Sequence, residues 1–497
     1  MPNPGLPPIT IQHPGQLFIG GKWETPSSAS TFDVITPATE ETFFSVAQAQ
    51  DVDVNRAVAS ARQAFDQGPW PRMSHAERAG YMRRISEGLR TRMGELSQIQ
   101  TNQVGMIHSL SQVFMSGIPA MFEYYASLAD TYPFEERHRP VAGKVGLLIR
   151  EPVGVVAAII PWNAPLFTIS VKIAPALLAG CTLVVKLAPE APIDGYVLAE
   201  VIEEIGLPSG VINLITADRA VSELLVRHSG VDKVSFTGST AAGKRIASIC
   251  GERIARCTLE LGGKSAAVVM DDYDVEEVAK AIAASSCANT TQVCSALTRI
   301  IVTKQKHDAL TDAFSAAFKA IKVGDPYDAA SQIGPLAMRR QRDRVEHYIS
   351  KGCEEGATLA TGGRRPRHLD RGFFIEPTVF SNVDHRSTIA REEIFGPVIS
   401  IIPADDEARA VEIANDSRFG LNSTVFTNDI DKAYATARML RAGTVGHNAF
   451  RSDFGIAFGG FKESGIGREG GREGLLPFLE AKTVVLDGEP HSPHGIA

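Results

Sequence analysis

The stretch VSFTGSTAAGKR, residues 234–245, leads from a short apolar strand through a glycine turn into a helix. Gly238 and Gly243 enclose four residues and Lys244 follows, as in the G-x-x-x-x-G-K-[ST] loop of nucleotide triphosphatases. Arg245 stands where that loop needs Ser or Thr to hold Mg²⁺. A strand, a tight turn and a helix N-terminus also suit the pyrophosphate of a dinucleotide. Taken alone, the stretch allows a triphosphatase, a dinucleotide site or a plain turn.

Apolar strand-like runs alternate with helical patterns on both sides of this stretch. Apolar spacing predicts helices over 51–67, 74–105, 170–180 and 196–206. The strand-like runs are VGVVAAII, CTLVVKLA, GVINLITA, KVSFTG and SAAVVMD, then RIIVT, EPTVFSNV, VISIIPA and NSTVFT. Repeated strand–helix–strand units predict a parallel sheet covered by helices, and so an α/β fold.

Composition and charge exclude several classes of protein. A chain of 497 residues is long enough for two or more cores, and its net charge of −7 argues against a nucleic-acid partner. The apolar runs are too short to span a membrane, and the N-terminal segment has no signal-peptide pattern. The six cysteines lack C-x-x-C spacing, which argues against a zinc site or a disulfide framework. We therefore expect a cytoplasmic protein with free thiols and no metal or membrane partner.

Five further motifs decide between the alternatives. In chain order they are EPVGVVAAIIPWNAPL (151–166), LELGGKS (259–265), NTTQVCSALTR (289–299), EEIFGPV (392–398) and FGGFKESGIGREGG (458–471). Together they resemble the aldehyde dehydrogenase superfamily, over nearly the whole chain. The resemblance implies a Rossmann-type cofactor domain, an α/β catalytic domain and a small oligomerisation arm.

The resemblance also implies a catalytic set. Cys294 matches the nucleophile that adds to the aldehyde, and Asn163 with the Cys294 N–H matches the oxyanion donors. Glu260 matches the general base that activates water for thioester hydrolysis. Lys172 and Glu469 match a proton relay behind that base. Without the resemblance, Cys294 is one of six cysteines, Asn163 is a turn residue and Glu260 is a polar strand end.

The resemblance further implies NAD as the cofactor, with NADP possible. The matching residues are Ile159, Pro161, Trp162, Lys186, Gly238, Ser239, Gly243, Glu393 and Phe395. The family often has a ribose-binding Glu three residues after the lysine, but here Pro189 holds that place and Glu190 follows. NAD preference is therefore expected but not fixed. Thr291 also replaces a usual glycine, which predicts a stiffer cysteine loop.

The expected substrate pocket is apolar. Its residues are Ala164, Phe167, Phe450, Arg451, Phe454 and Phe458. The phenylalanines favour a medium or large apolar or aromatic aldehyde, although any one of them could be a core residue. Arg451 leaves a semialdehyde with an acidic group as an alternative. A CoA-acylating enzyme is a further alternative, against which Glu260 argues because such enzymes usually lack the base.

The expected domains follow from the same resemblance. Residues 1–125 and 146–262 form the NAD(P)-binding domain, and 263–470 form the catalytic domain. Residues 126–145 and 478–490 form the oligomerisation arm and strand, which implies a homodimer or homotetramer.

Overall fold

The computed structural model of the chain describes residues 6–490. Its strands are β1 (Leu17–Ile19), β2 (Lys22–Glu24), β3 (Thr31–Thr36), β4 (Glu41–Ala47), β5 (Glu135–His138), β6 (Val145–Pro152), β7 (Val155–Ile159), β8 (Thr182–Leu187), β9 (Ile212–Thr216), β10 (Lys233–Thr237), β11 (Arg256–Glu260), β12 (Ser265–Val269), β13 (Leu297–Thr303), β14 (Thr358–Thr361), β15 (Thr378–Ser381), β16 (Val398–Ala404), β17 (Phe419–Gly420), β18 (Asn422–Phe426), β19 (Thr444–His447), β20 (Phe461–Lys462), β21 (Gly465–Ile466) and β22 (Leu479–Leu486).

Fifteen α-helices connect and cover these strands. They are α1 (Asp51–Asp66), α2 (His75–Thr91), α3 (Met93–Val104), α4 (His108–Ser116), α5 (Ile118–Ser127), α6 (Pro165–Ala179), α7 (Ile193–Glu204), α8 (Arg219–Arg227), α9 (Thr240–Arg253), α10 (Val275–Cys287), α11 (Lys304–Ala320), α12 (Arg339–Glu354), α13 (Thr388–Arg391), α14 (Glu407–Asn415) and α15 (Ile430–Met439). Short 3₁₀ turns lie at Trp70–Arg72, Ala288–Thr291 and Leu476–Phe478.

The expected α/β fold is confirmed, with two large sheets. The first has the order β2-β1-β9-β8-β7-β10-β11-β21, and β9, β8, β7, β10 and β11 run parallel. Every residue of β7, β8 and β9 is buried. Such continuous apolar strands are expected where helices cover both faces of a parallel sheet.

The second sheet has the order β14-β15-β16-β13-β12-β18-β19 and is parallel apart from the edge strand β14. The first sheet ends its main run at Glu260 and the second begins at Ser265, so the LELGGKS motif joins the two. β21 pairs with β11 in the first sheet, although the sequence analysis placed 465–466 with the catalytic unit.

A third, antiparallel sheet has the order β22-β6-β5. The register of β22 against β6 runs without a break from Leu479 opposite Pro152 to Leu486 opposite Val145. The segments expected to form the arm and the C-terminal strand therefore meet in one sheet. Along β22 the burial alternates weakly, and Val485 is 52% exposed.

One helix prediction needs correction. The single helix predicted over 74–105 is two helices, because α2 ends at Thr91 and α3 begins at Met93. Arg92 leaves the helical region, with φ −105° and ψ 7°. α3 then ends at Gly105, which has φ +88°. A Cβ on Gly105 would lie 2.8 Å from the Pro335 carbonyl oxygen, so the backbone requires glycine there for space as well as conformation.

Candidate active site

The register of the first sheet gathers the candidate residues at one edge. Ile159 pairs with Lys186 on one side and with Phe236 on the other, and Thr237 pairs with Glu260. Since parallel strands end at the same edge, these strand ends place the expected cofactor residues and the expected base side by side. Ligands of open α/β sheets bind at this carboxyl edge.

The cysteine loop leaves α10 through a turn of unusual backbone. Asn289, Thr290 and Thr291 have φ values of 49°, 53° and 58°, and left-handed conformations are rare for threonine. Side-chain bonds hold the turn, because the Thr291 hydroxyl donates to the Ser286 carbonyl at 2.8 Å and the Thr290 hydroxyl to the Gly334 carbonyl at 3.2 Å. The loop is thus held by hydrogen bonds of its two threonine side chains. One of them, Thr291, is the residue that the sequence analysis noted in place of a usual glycine.

Cys294 lies at the end of this loop, against the LELGGKS turn. A Cβ on Gly263 would lie 2.4 Å from the Cys294 carbonyl oxygen. Burial raises the pKa of the Cys294 thiol, and the charges of Glu393 and Glu260 raise it further. The thiol therefore keeps its proton until a neighbouring group accepts it.

Asn163 lies beside the cysteine loop. Its Nδ2 donates to the Gln292 carbonyl oxygen at 2.9 Å. The backbone carbonyl oxygen of Asn163 accepts hydrogen bonds from Gln100 Nε2 at 3.2 Å and from Asn289 Nδ2 at 3.0 Å. An amide NH₂ carries two N–H groups, so one remains for a ligand.

Glu260 is 2% exposed. Neither carboxylate oxygen accepts a hydrogen bond from residues 6–490, although buried polar atoms are normally paired. Gly459 approaches closely, since a Cβ there would lie 2.7 Å from Glu260 Oε1. Burial raises the pKa of Glu260 well above its ordinary value and Glu469 adds to the rise, while the Lys172 charge opposes it. This carboxyl is suited to take a proton from a weak acid near neutral pH.

Lys172 and Glu469 form a buried ion pair behind Glu260. Lys172 Nζ lies 2.5 Å from Glu469 Oε1, and the two side chains are 0% and 7% exposed. Lys172 also donates to the Ser235 hydroxyl at 3.3 Å. Glu469 and Phe458 exchange backbone hydrogen bonds of 2.6 and 2.7 Å, which ties the pair to the expected substrate pocket.

The VSFTGSTAAGKR turn faces the same edge. Ser239 is the N-cap of α9 and its hydroxyl accepts the Ala242 N–H at 3.3 Å, while the Gly238 N–H donates to the Glu260 backbone carbonyl. The hydroxyls of Thr237 and Thr240 are buried without a partner within residues 6–490. A helix N-terminus with free hydroxyls fits a dinucleotide pyrophosphate.

The other residues of that turn point elsewhere. Lys244 is paired with Glu463 at 2.8 Å, and Arg245 with Glu223 at 2.8 Å, both on the surface. Neither cation is directed to the turn, so the triphosphatase interpretation loses its lysine as well as its metal ligand. A Cβ on Gly243 would lie 2.4 Å from Leu261 Cδ2, so the glycine allows α9 to pack against the sheet.

Lys186 is 8% exposed at the end of β8. Burial lowers the pKa of Lys186 to about 8, against the charges of Glu190 and Asp218. Glu190 is engaged elsewhere, since its Oε1 lies 2.6 Å from Arg340 Nη2. Pro189 provides no carboxylate. The glutamate that the family often has at this position, and that would repel the 2′-phosphate of NADP, is therefore absent here.

Glu393 and Phe395 lie between the two sheets. Glu393 Oε1 accepts the Gly263 N–H at 3.0 Å, and burial raises the pKa of Glu393 to about 7. The Phe395 ring stands perpendicular to the Trp162 ring, with centroids 5.4 Å apart. The residues expected to hold the nicotinamide end therefore contact the LELGGKS turn and Trp162, which follows β7.

Three of the expected pocket phenylalanines form a continuous row of rings, here called the stack, in which Phe454 lies face to face with Phe458 and edge to face with Phe167. The rings of Phe167 and Phe454 are 4.8 Å apart, and those of Phe454 and Phe458 are 4.3 Å apart. Phe114 of α4 extends the stack, 5.5 Å from Phe167. Phe450 instead packs against the core of the second sheet.

The two remaining expected pocket residues differ in their burial. Ala164 precedes α6 and is half-buried, and Arg451 is exposed. The Arg451 carbonyl accepts a hydrogen bond from Asn422 Nδ2 at 2.7 Å. Asp453, two residues after Arg451, accepts the Gly455 N–H on Oδ1 at 2.7 Å.

Sequence reasoning missed the residues that hold the site together. The Gln292 backbone carbonyl accepts a hydrogen bond from Asn163 Nδ2, and its side-chain Oε1 accepts the Ala337 N–H at 3.0 Å. Gln341 donates to the Phe395 carbonyl at 2.7 Å. Only the position of Gln292, two residues before Cys294, could have indicated a role. The bonds of Gln341 join residues more than fifty positions apart.

Known proteins match this chain in sequence and fold. The Aldehyde dehydrogenase family model matches residues 23–484. The chain is 44% identical to geranial dehydrogenase from Castellaniella defragrans, over 97% of this chain and 100% of that protein. An NAD⁺ complex of a Mycobacterium tuberculosis aldehyde dehydrogenase superposes with a TM-score of 0.93 and 43% identity, covering 97% and 99% of the two chains.

A second solved structure is similar over the whole chain. It is a mutant aldehyde dehydrogenase C from Pseudomonas syringae with NAD⁺ and octanal, with a TM-score of 0.93, 36% identity and coverage of 98% and 99%. Among residues 6–490 no helix is long and apolar enough to cross a membrane. The chain belongs to the aldehyde dehydrogenase family and is an NAD(P)-dependent aldehyde dehydrogenase.

Proposed function

We propose that this enzyme oxidises medium-sized apolar or aromatic aldehydes to carboxylic acids. The stack of Phe167, Phe454 and Phe458 carries the proposal, because it offers an apolar wall beside the Glu469 backbone. One relative is named geranial dehydrogenase and a mutant of another was solved with octanal, and both of these aldehydes are apolar, which supports the proposal. Arg451 is exposed, which makes an acidic semialdehyde the weaker alternative.

Cys294 Sγ is the nucleophile in this proposal. It attacks the aldehyde carbon as Glu260 takes the thiol proton, and the carbonyl oxygen becomes an oxyanion. The raised pKa of Glu260 makes it a competent acceptor for a thiol whose own pKa is raised. The free N–H of Asn163 Nδ2 and the Cys294 backbone N–H stabilise the oxyanion.

The cofactor is held at the carboxyl edge by the α9 turn, by Lys186 and by Glu393. When bound, NAD⁺ supplies a hydride acceptor. Loss of hydride from the tetrahedral carbon leaves a thioester on Cys294. Glu260 first passes the thiol proton on through Lys172 and Glu469 and is ionised again. It then takes a proton from water, the hydroxide adds to the thioester carbon, and the acid leaves as the C–S bond breaks and the thiolate is restored. Lys172 and Glu469 keep Glu260 able to ionise and carry its proton away.

The domain organisation expected from sequence supports this division of labour. We propose that 1–125 and 146–262 bind the cofactor, that 263–470 carry the nucleophile, and that 126–145 with 478–490 join subunits in a homodimer or homotetramer. The exposed strand β22 supports the last role, because an unpaired edge favours pairing with another chain. All six cysteines are free thiols, which supports a cytoplasmic location.

The test measures reduced cofactor with NAD⁺ and NADP⁺ against straight-chain aldehydes of increasing length, benzaldehyde and succinic semialdehyde. Each methylene buried against the wall contributes about 0.8 kcal/mol, or about fourfold in kcat/KM, until the wall is filled. Cys294→Ala abolishes turnover, whereas the matched control Cys287→Ala, a half-buried thiol seven residues earlier, retains it. Faster oxidation of succinic semialdehyde than of octanal would overturn the substrate proposal, and turnover by Cys294→Ala would overturn the nucleophile.

A further inference from the structure

Helix α6 begins at the catalytic edge without a cap of its own. Its N-cap is Ala164, which has no side-chain acceptor, and Pro165 occupies the first helical position. The first N–H groups of a helix have no partner within the helix. Here they belong to the turn that directly follows Asn163.

A residue from another helix supplies the missing acceptor. Asp194, in the first turn of α7, accepts the Leu166 N–H on Oδ2 at 2.8 Å and its neighbour Gly195 N–H on Oδ1 at 3.0 Å. Asp194 is fully buried, and burial raises its pKa to about 7 while the Leu166 N–H lowers it. A carboxylate at a helix N-terminus interacts favourably with the positive end of the helix dipole.

The Asp194 bond completes the support of the Asn163 turn. The carbonyl oxygen of Asn163 is already held by Gln100 of α3 and by Asn289 of the cysteine loop. Those bonds fix the chain before the turn, and Asp194 fixes the helix after it. Gln103 of α3 accepts the Ile193 N–H at 3.1 Å, so α3 also orients the start of α7 from which Asp194 projects.

We propose that Asp194 is a positioning residue, which caps α6 from α7 and thereby aims the Asn163 amide at the oxyanion. The proposal rests on the proposed oxyanion role of Asn163. Asp194 contacts no reacting atom, and its effect passes through the two residues between Asn163 and Leu166.

A double-mutant cycle tests the proposal. Asn163→Ala removes an oxyanion donor and lowers kcat by about 10²–10³. Asp194→Ala displaces the donor and lowers kcat by about 10-fold or more, with KM for NAD⁺ unchanged, since misplacement by 1 Å costs up to about 10². In the Asn163→Ala background, Asp194→Ala changes kcat by no more than about twofold, because the Asn163 amide that Asp194 positions is no longer present.

Two variants separate positioning from loss of fold. Asp194→Asn keeps an acceptor oxygen and retains kcat within about threefold, a rescue that general damage to the fold would not give. The control Asp406→Ala removes an exposed cap, whose carboxylate accepts the Arg409 N–H at 2.7 Å, and lowers the melting temperature without changing kcat.

The outcomes are distinguishable. Unchanged kcat in Asp194→Ala, or effects that multiply in the double variant, would overturn the positioning role while leaving Asn163 in place. Unchanged kcat in Asn163→Ala would overturn the oxyanion assignment and the positioning role with it.

Discussion

Replacing Lys172 by methionine tests the buried ion pair behind the base. Methionine fills nearly the same volume without the charge, so the change leaves Glu469 buried without its cation. Removing one partner of a buried ion pair lowers the free energy of unfolding by about 3–5 kcal/mol. Lys172 is 0% exposed and its nitrogen lies 2.5 Å from Glu469, so the upper half of that range is expected.

The chain offers a matched control on its surface. Lys244 and Glu463 form the same kind of pair at 2.8 Å, with side chains 57% and 36% exposed. Exposed pairs contribute about 0.2–1 kcal/mol. Thermal unfolding at pH 8 should therefore show a several-fold larger loss of melting temperature in Lys172→Met than in Lys244→Met. Adding Glu469→Gln to Lys172→Met should recover much of the loss, because no unpaired charge then remains.

The same variant should change the pH dependence of turnover. The Lys172 charge lowers the pKa of Glu260, so its removal raises that pKa further. Since Glu260 must be ionised to act as a base, the acidic limb of the kcat profile moves to higher pH. An equal melting temperature for Lys172→Met and Lys244→Met, or an acidic limb that stays in place, would refute the reasoning.

Three further changes test neighbouring parts of the site. Gly263→Ala places a Cβ 2.4 Å from the Cys294 carbonyl oxygen and should lower kcat by up to about 10²-fold. The control Gly251→Ala, whose Cβ meets no atom of the described residues within 4 Å, should leave kcat unchanged. Equal kcat values for the two variants would contradict the close approach of Gly263 to Cys294. Glu260→Gln should raise the melting temperature at pH 8 but not at pH 5. The raised pKa means that native stability falls as pH rises from the ordinary glutamate value to the raised one, and a gain that is larger at pH 5 would contradict the sign. Phe454→Ala should flatten the increase of kcat/KM with aldehyde length, and an unchanged slope would exclude this ring from the pocket.

The strand ends were predictable from sequence because their pattern is local. Continuous apolar runs in the sequence indicated β7, β8 and β10, and the family resemblance of the motifs at their ends indicated the candidate site residues. The register shows that Ile159 and Lys186 lie at one level of the sheet and that Glu260 lies one residue further towards the carboxyl edge. The fold class and the family follow from this part.

The contacts that support the site were not predictable, because each joins distant parts of the chain. Asn163 and Gln292 are 129 positions apart, and Asp194 and Leu166 are 28 apart with no shared motif. The left-handed run at 289–291 contains no glycine, so nothing in its composition indicated a turn of that kind. Phe450 resembled its neighbours in sequence, and only the packing separates it from the stack.

The most direct test of the account is rapid mixing of Glu260→Gln with octanal and NAD⁺, followed by intact-mass analysis. In this account Glu260 accepts the proton of the Cys294 thiol and, later, that of the hydrolytic water. Removal of a general base slows its step by about 10²–10⁴, so both steps should become slower. The account predicts that reduced cofactor forms without a fast burst, at a rate lower by about 10²–10⁴, and that the octanoyl adduct that forms is on Cys294. Steady turnover equal to that of the parent enzyme, or an octanoyl adduct on a residue other than Cys294, would contradict it.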